Sequence, residues 1–148
     1  FEPLLCGNIL CVVRMAHSLR HLTLQIVQND IGHTEWMSIA KYCPQLLTLS
    51  VFIQDLPDAT LGELCRLCPH ITKLVIGRSG SITDAGVLLF AQRLHQLQSL
   101  RLMLCQQLTD LSLVHIEMHC KVLRTVSMLE SPLVTPSALV ELQGRLQR

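Results

Sequence analysis

Large rings are scarce in this sequence. Phe, Tyr and Trp together make 3% of its 148 residues, while 49% are hydrophobic. That scarcity excludes a core of stacked aromatics and points to layers of Leu, Ile and Val. Charge is sparse too, at 16%, against about 25% in ordinary domains, so much of the chain must be buried, or it is cut from something larger. Neither sign dominates: the net charge is +1, with Lys and Arg scattered, which leaves no electrostatic footprint for nucleic acid. Arg145 and Arg148 read as a solvated basic end. Long hydrophobic runs are missing as well. Val87 to Ala91 and Ile9 to Val13 fall far short of the roughly 18 residues that span a bilayer. Cys6, Asn8 and Arg14 around the second run do not form a signal-peptide layout. Linkers and low-complexity segments are absent.

Cysteine, by contrast, is present in an odd number, seven. Five of the seven sit at similar repeat positions or on helix faces, so they read as reduced, buried small hydrophobes. Such usage points to a reducing compartment, cytoplasm or nucleus. The length fits about one domain.

What the chain does have is a period. Leu19, Leu46, Ile71, Leu97 and Leu123 recur in steps of 27, 25, 26 and 26 residues. Three residues after each comes Leu22, Leu49, Leu74, Leu100 or Val126, and two further on comes Leu24, Val51, Ile76, Leu102 or Met128. Three before each lies Ala16, Cys43, Cys68, Leu94 or Cys120. A period of about 20–29 residues with an LxxLxL core reads as leucine-rich repeats, and repeats of this kind make extended binding surfaces. The expected fold is therefore an α/β solenoid: a curved arc of about five and a half units, with short parallel strands on the concave face and helices on the convex one.

Alternation along a strand sends Leu100 and Leu102 inward and Ser99 and Arg101 outward, with the strand centred on Leu100. The second half of a unit starts a helix. Ile82-Thr83-Asp84 and Leu108-Thr109-Asp110 share an order that Leu56-Pro57-Asp58 and Val134-Thr135-Pro136 approximate. Either Thr or Asp can accept from an orphan helix N–H, and Pro136 suits a first turn. Buried stripes at offsets of three and four follow: Trp36, Ile39, Ala40 and Cys43; Leu61, Leu64, Cys65 and Cys68; Val87, Phe90, Ala91 and Leu94; Leu113, Ile116 and Cys120; Leu139, Leu142 and Leu146. Gln92, Arg93, His115, Met118 and His119 fall on the other faces. Ile9, Val12, Val13 and Ala16 extend the stripe upstream. The single domain 1–148 thus divides into a partial unit 1–15 and units of about 16–42, 43–67, 68–93, 94–119 and 120–148. The chain begins at Phe1, and Leu4, Leu5, Cys6, Ile9 and Leu10 lack the polarity of a cap, so a preceding segment is expected.

Cys-Pro-x-Leu/Ile-x-x-Leu-x-Val/Ile recurs at Cys43 to Val51 and Cys68 to Ile76. Leu97 to Asp110 reads LxxLxLxxCxxLTD, and Ser81 to Ala91 reads SITDAGVLLFA. Nearly the whole chain thereby resembles the cysteine-containing leucine-rich repeats of F-box proteins. The ninth repeat position, Cys or Asn in that family, is Cys105 in one unit and Val27, Gln54, Ser79 and Ser131 in the others; Ser there can still bond the loop backbone. The resemblance implies the substrate-recruiting arm of an SCF-type ubiquitin ligase. The SCF adaptor and cullin would be reached only through an F-box, and none is found within this chain. A repeat scaffold or adaptor without an F-box is the alternative.

Other chemistry has little to stand on. Cys65-x-x-Cys68 is half of a zinc site, with no second pair of matching spacing. His119-Cys120 places adjacent helical side chains in divergent directions and supplies no third catalytic member. Gly77-Arg78-Ser79-Gly80 lacks the phosphate-loop lysine and reads as a turn. Trp36 has a core offset. No catalytic residue, cofactor or metal is expected, and no nucleic-acid or membrane partner. A protein substrate is expected on the concave face, at Phe52, Lys73, Val75, Arg78, Ser99, Arg101, Met103, Thr125 and Leu129, the mixed basic and apolar set suiting a ligand of some acidic character. Phe52 and Leu129 have a second reading, leaning back to pack under the loops.

Overall fold

A computed structural model describes residues 17–25 and 31–147. The partial unit 1–15, the upstream stripe Ile9, Val12, Val13 and Ala16, and the slot of Val27 lie outside the described residues. Strands β1 (His21–Gln25), β2 (Thr48–Phe52), β3 (Lys73–Gly77), β4 (Ser99–Met103) and β5 (Thr125–Leu129) alternate with helices α1 (His33–Tyr42), α2 (Asp58–Leu67), α3 (Asp84–Ala91), α4 (Asp110–His119) and α5 (Pro136–Leu146). The strands form one parallel sheet in sequential order. Parallel neighbours cannot be joined by a tight turn and need a crossover, which each helix supplies. Five parallel strands alternating with five helices are consistent with a repeat solenoid.

Register follows the leucine period without a slip. Leu22, Leu49, Leu74, Leu100 and Val126 face one another across the sheet, and so do Leu24, Val51, Ile76, Leu102 and Met128. From β2 to β5 these residues are buried, against Trp36, Ile39, Leu61, Leu64, Val87, Phe90, Leu113 and Ile116 from the helices. The strand of the fourth unit is centred on Arg101, one residue later than the expected Leu100. The reason lies in the backbone. The carbonyl just before each of β1 to β4 accepts two N–H groups of the next unit, as Thr72 O does from Gln98 and Ser99 at 2.8 and 3.0 Å. That forked contact holds the chain out of the strand until Ser99.

At the other end of each strand the ladder stops at a turn. Arg78, Leu104 and Glu130 take positive φ angles of 63°, 56° and 54°. For a residue with a Cβ the left-handed region costs about 1–2 kcal/mol. The bonds Arg78 N–H to Met103 O and Leu104 N–H to Leu129 O, both 2.8 Å, hold two of them there.

The helices bury the expected stripes, with one partial exception. In α5 only Leu142 is fully buried, while Leu139 and Leu146 are half-covered. Cys43, Cys68 and Cys120 stand just past the ends of α1, α2 and α4, each returning its N–H to the last turn. The Cys68 thiol also lies 3.4 Å from the Cys43 carbonyl and 3.7 Å from that of Ala40, joining one unit to the next.

Thr83, Thr109 and Thr135 cap α3, α4 and α5, each hydroxyl accepting a backbone N–H of the first turn. The aspartates do something else. Asp58 accepts the Thr83 N–H at 3.0 Å and the Thr83 hydroxyl at 2.5 Å. Asp84 does the same for Thr109 at 2.9 and 2.6 Å, and Asp110 for Thr135 at 2.7 and 2.8 Å. Each carboxylate therefore grips the cap of the following helix, and each threonine both donates to the previous unit and accepts within its own. Pro136 stands in the aspartate position of α5.

Hydrogen bonds to a charged group contribute about 1.5–3 kcal/mol each in buried settings, and less here because the pair is only half-buried. Asp84→Ala is expected to lower the unfolding free energy in urea by about 2 kcal/mol. Asp55→Ala, at an exposed loop position, should stay within about 0.5 kcal/mol of the parent.

Candidate interaction surface

With one sheet face buried under the helices, the other carries three residues from each of five strands, in three rows across the sheet. The row at the strand starts is His21, Thr48, Lys73, Ser99 and Thr125. The middle row is Thr23, Ser50, Val75, Arg101 and Ser127. The row at the strand ends is Gln25, Phe52, Gly77, Met103 and Leu129. No residue in the three rows is acidic.

Eight of the nine residues expected to meet a partner lie in these rows; Arg78 is one residue beyond β3, exposed on the left-handed turn. Lys73 and Arg101 are exposed, and no ion pair is formed by them or by Arg78 among the described residues. The described ion pairs lie on the helical side, Arg66 with Glu63 and Arg145 with Glu117 and Glu141. Ser99 and Thr125 spend their hydroxyls on each other, at 3.0 Å across β4 and β5.

Val75 needs a correction. It stands on the open face at only 8% exposure, between Ser50 and Arg101 on the flanking strands. It therefore forms floor between its neighbours and offers little contact area of its own. Phe52 and Leu129 part company. A Cβ at Gly77 would lie 2.5 Å from Phe52 Cδ1 and 2.8 Å from Cε1, so the Phe52 ring rests on the bare Gly77 backbone and is half-buried there. Leu129 stands out at 52% exposure. Met103, between them and half-buried, completes a short apolar row.

The serine slots also depart from expectation. Ser79 and Ser131 are buried, yet neither hydroxyl has a hydrogen-bond partner. Around Ser79 the loop N–H groups are already taken, Arg78 by Met103 O and Gly80 by Gln54 O. An open cavity of about 620 Å³ lies beside β5, where Ser131 joins Met128, Glu130, Thr135 and Leu139 in its lining. Trp36 is in the core as expected, its indole N–H unpartnered.

Sequence reasoning missed an apolar stripe on the helical side. Leu111, Val114 and Met118 on α4 and Val140 on α5 are all exposed, Met118 at 58%. The signal was available: α4 has apolar residues at offsets of three and seven on the face opposite its buried Leu113 and Ile116.

The described thiols are those of buried hydrophobes. Cys43, Cys65, Cys68, Cys105 and Cys120 are all buried. Burial pushes Cys68 up to about 12, and Cys105 and Cys120 up to about 11; it raises Cys65 further, and Cys43 as well. A reactive thiol needs the opposite shift, toward thiolate. Cys6 and Cys11 lie outside the described residues.

No family model matches this chain, and no curated protein matches it. Among solved structures it is similar to one of the Rad7 and Elc1 complex of yeast, with a TM-score of 0.45 and 15% identity over 93% of this chain. The chain spans about half, 50%, of the length of that one.

The thiols supply a pH dependence with a definite sign. A group whose pKa is raised on folding favours the folded state while protonated, and that contribution is lost as pH rises from the unfolded value toward the folded one. Stability to urea is expected to decline from about pH 9 upward, across a window reaching about 11 to 12. Replacing Cys105 and Cys120 by Ala should flatten that decline. Alkylation of these two thiols at neutral pH should track global unfolding; fast labelling of the folded protein would contradict the assignment.

Proposed function

We propose that this chain is a leucine-rich-repeat module for protein recognition, and that it serves as the substrate-recognition region of an F-box-type receptor for an SCF ubiquitin ligase. The observation that carries the reading is the open sheet face. Its side chains have no core to join and no carboxylates to satisfy the cations among them, and the rows offer an extended, partly apolar floor in place of an enclosed pocket. Interfaces favour such apolar, Met and Arg contacts surrounded by small polar groups. In this proposal the face is the concave side of an arc, the protein works in the cytoplasm or nucleus, and the chain itself is non-catalytic. The motifs at Cys43 to Val51, Cys68 to Ile76 and Leu97 to Asp110 support the repeat subfamily. The SCF adaptor and cullin would attach through an F-box outside this chain. A second reading, a repeat scaffold without an F-box, rests on the same face and differs only in what accompanies it.

The test is a pull-down of the full-length natural product probed for the SCF adaptor and cullin. Co-purification of both is the expected result; if neither appears, the scaffold reading replaces the ligase reading. In parallel, Lys73→Glu with Arg101→Glu should weaken substrate capture roughly tenfold or more while leaving adaptor binding and thermal stability unchanged. Undiminished capture would remove the open face from the proposal.

A further inference from the structure

The open face is divided by chemistry, and the division runs across the strands. Phe52, Met103 and Leu129 all belong to the row at the strand ends, while Lys73 lies in the first row and Arg101 in the middle one. Neighbouring strands are spaced by about 4.8 Å. Met103 and Leu129 are thus one step apart, and Phe52 and Met103 two steps, about 10 Å. Lys73 and Arg101 sit on adjacent strands, offset by two residues, so their Cα atoms are about 8 Å apart. An apolar line therefore runs perpendicular to the strands, and both cations lie on the same side of it, Arg101 one row away and Lys73 two rows away.

A ligand complementary to both must show an apolar stripe with anionic groups along one flank of it. An extended segment lying flat shows the sheet only alternate side chains, along a single line. An α-helix shows adjacent stripes. Its rise of about 1.5 Å per residue matches the row, three residues for the step from Met103 to Leu129 and six or seven for the step to Phe52. With a diameter of about 10–12 Å it covers the strand-end and middle rows, and long side chains such as Lys73 and a glutamate bridge the rest of the roughly 13 Å to the first row.

Resting on the proposal that this face receives a protein partner, we infer that the partner presents an acidic amphipathic helix, laid across the strands. Its apolar side chains, spaced three or four residues apart, seat on Phe52, Met103 and Leu129. Its glutamates or aspartates, on the neighbouring helical face, pair with Lys73 and Arg101. The cations need not break any ion pair to do so, since no described carboxylate holds them.

The probe is a lactam-stapled helical peptide of about 14 residues, three turns and a margin, with Leu at three- and four-residue spacing and Glu on one adjacent face. Binding to the full chain is read by fluorescence anisotropy. The comparison peptides carry Lys for every Glu, or keep the composition in a Pro-broken, non-helical order. Tight binding by the acidic helix is expected, with at least a tenfold loss for either comparison peptide and a similar loss when salt rises from about 50 to 300 mM. Lys73→Glu with Arg101→Glu should reverse the preference, so that the Lys peptide binds the variant better than the Glu peptide. That reversal shows the variant is folded and the contact direct. Leu129→Ser should weaken both pairings. Equal binding of the Glu and Lys peptides, or of the helical and broken ones, would overturn the inference. If the face variants still lose their natural substrate while the acidic helix fails to bind, the recognition face stands and only the identity of its occupant is wrong.

Discussion

Register is the constraint on which the rest of this molecule depends. Side chains alternate across a strand, so a slip of one residue would exchange the buried set for the exposed one. Leu49, Val51, Leu74, Ile76, Leu100 and Leu102 are buried only because each strand meets its neighbours at equivalent positions. No single unit has enough of a core to stand alone; each covers its leucines with the next. The open face inherits the same order. Its three rows are straight because the buried rows are straight, and a cation or an apolar side chain on one strand is placed relative to the next strand by the core beneath.

The helical side holds the register with polar contacts. Asp58, Asp84 and Asp110 each grip the backbone and hydroxyl of the next cap. Gly86 has no side chain where a Cβ would sit 2.1 Å from Asp58 Oδ1, which is why a glycine follows that threonine and aspartate. These contacts also sort the charge. The three aspartates are spent between helices, Glu35 closes back on Gly32 at the start of α1, and Glu63, Glu117 and Glu141 pair with arginines on the helices. These carboxylates lie on the helical side, whereas Asp55 and Glu130 stand in the loops after β2 and β5, and Lys73 and Arg101 form no ion pair among the described residues.

Much of this was legible in the residues. The strand steps, the inward leucines, the helix stripes and the threonine caps could be read because hydrophobic periodicity and capping act over a few residues. The serine slots could not. Ser79 and Ser131 have the right chemistry for a loop bond, but around Ser79 the N–H groups of Arg78 and Gly80 are already held by Met103 O and Gln54 O of the neighbouring units. Val75 looked like a contact residue by its parity and proved to be floor, since exposure depends on the neighbours' side chains as well as on direction. Phe52 lies down because residue 77, one strand away, is glycine. The exposed stripe on α4 and α5 went unread because one buried face was sufficient to explain the helix.

The division between the two kinds of information has a physical basis. By itself the sequence determined the period, the order of strand and helix, and which residues turn inward, because these follow from spacing along one chain. Only the tertiary structure decided which aspartate caps which helix, which thiols lie against a neighbouring carbonyl, and which cations are left without a partner. Those contacts join residues about one repeat apart, and whether they form depends on the relative placement of two units, which no single stretch of sequence contains.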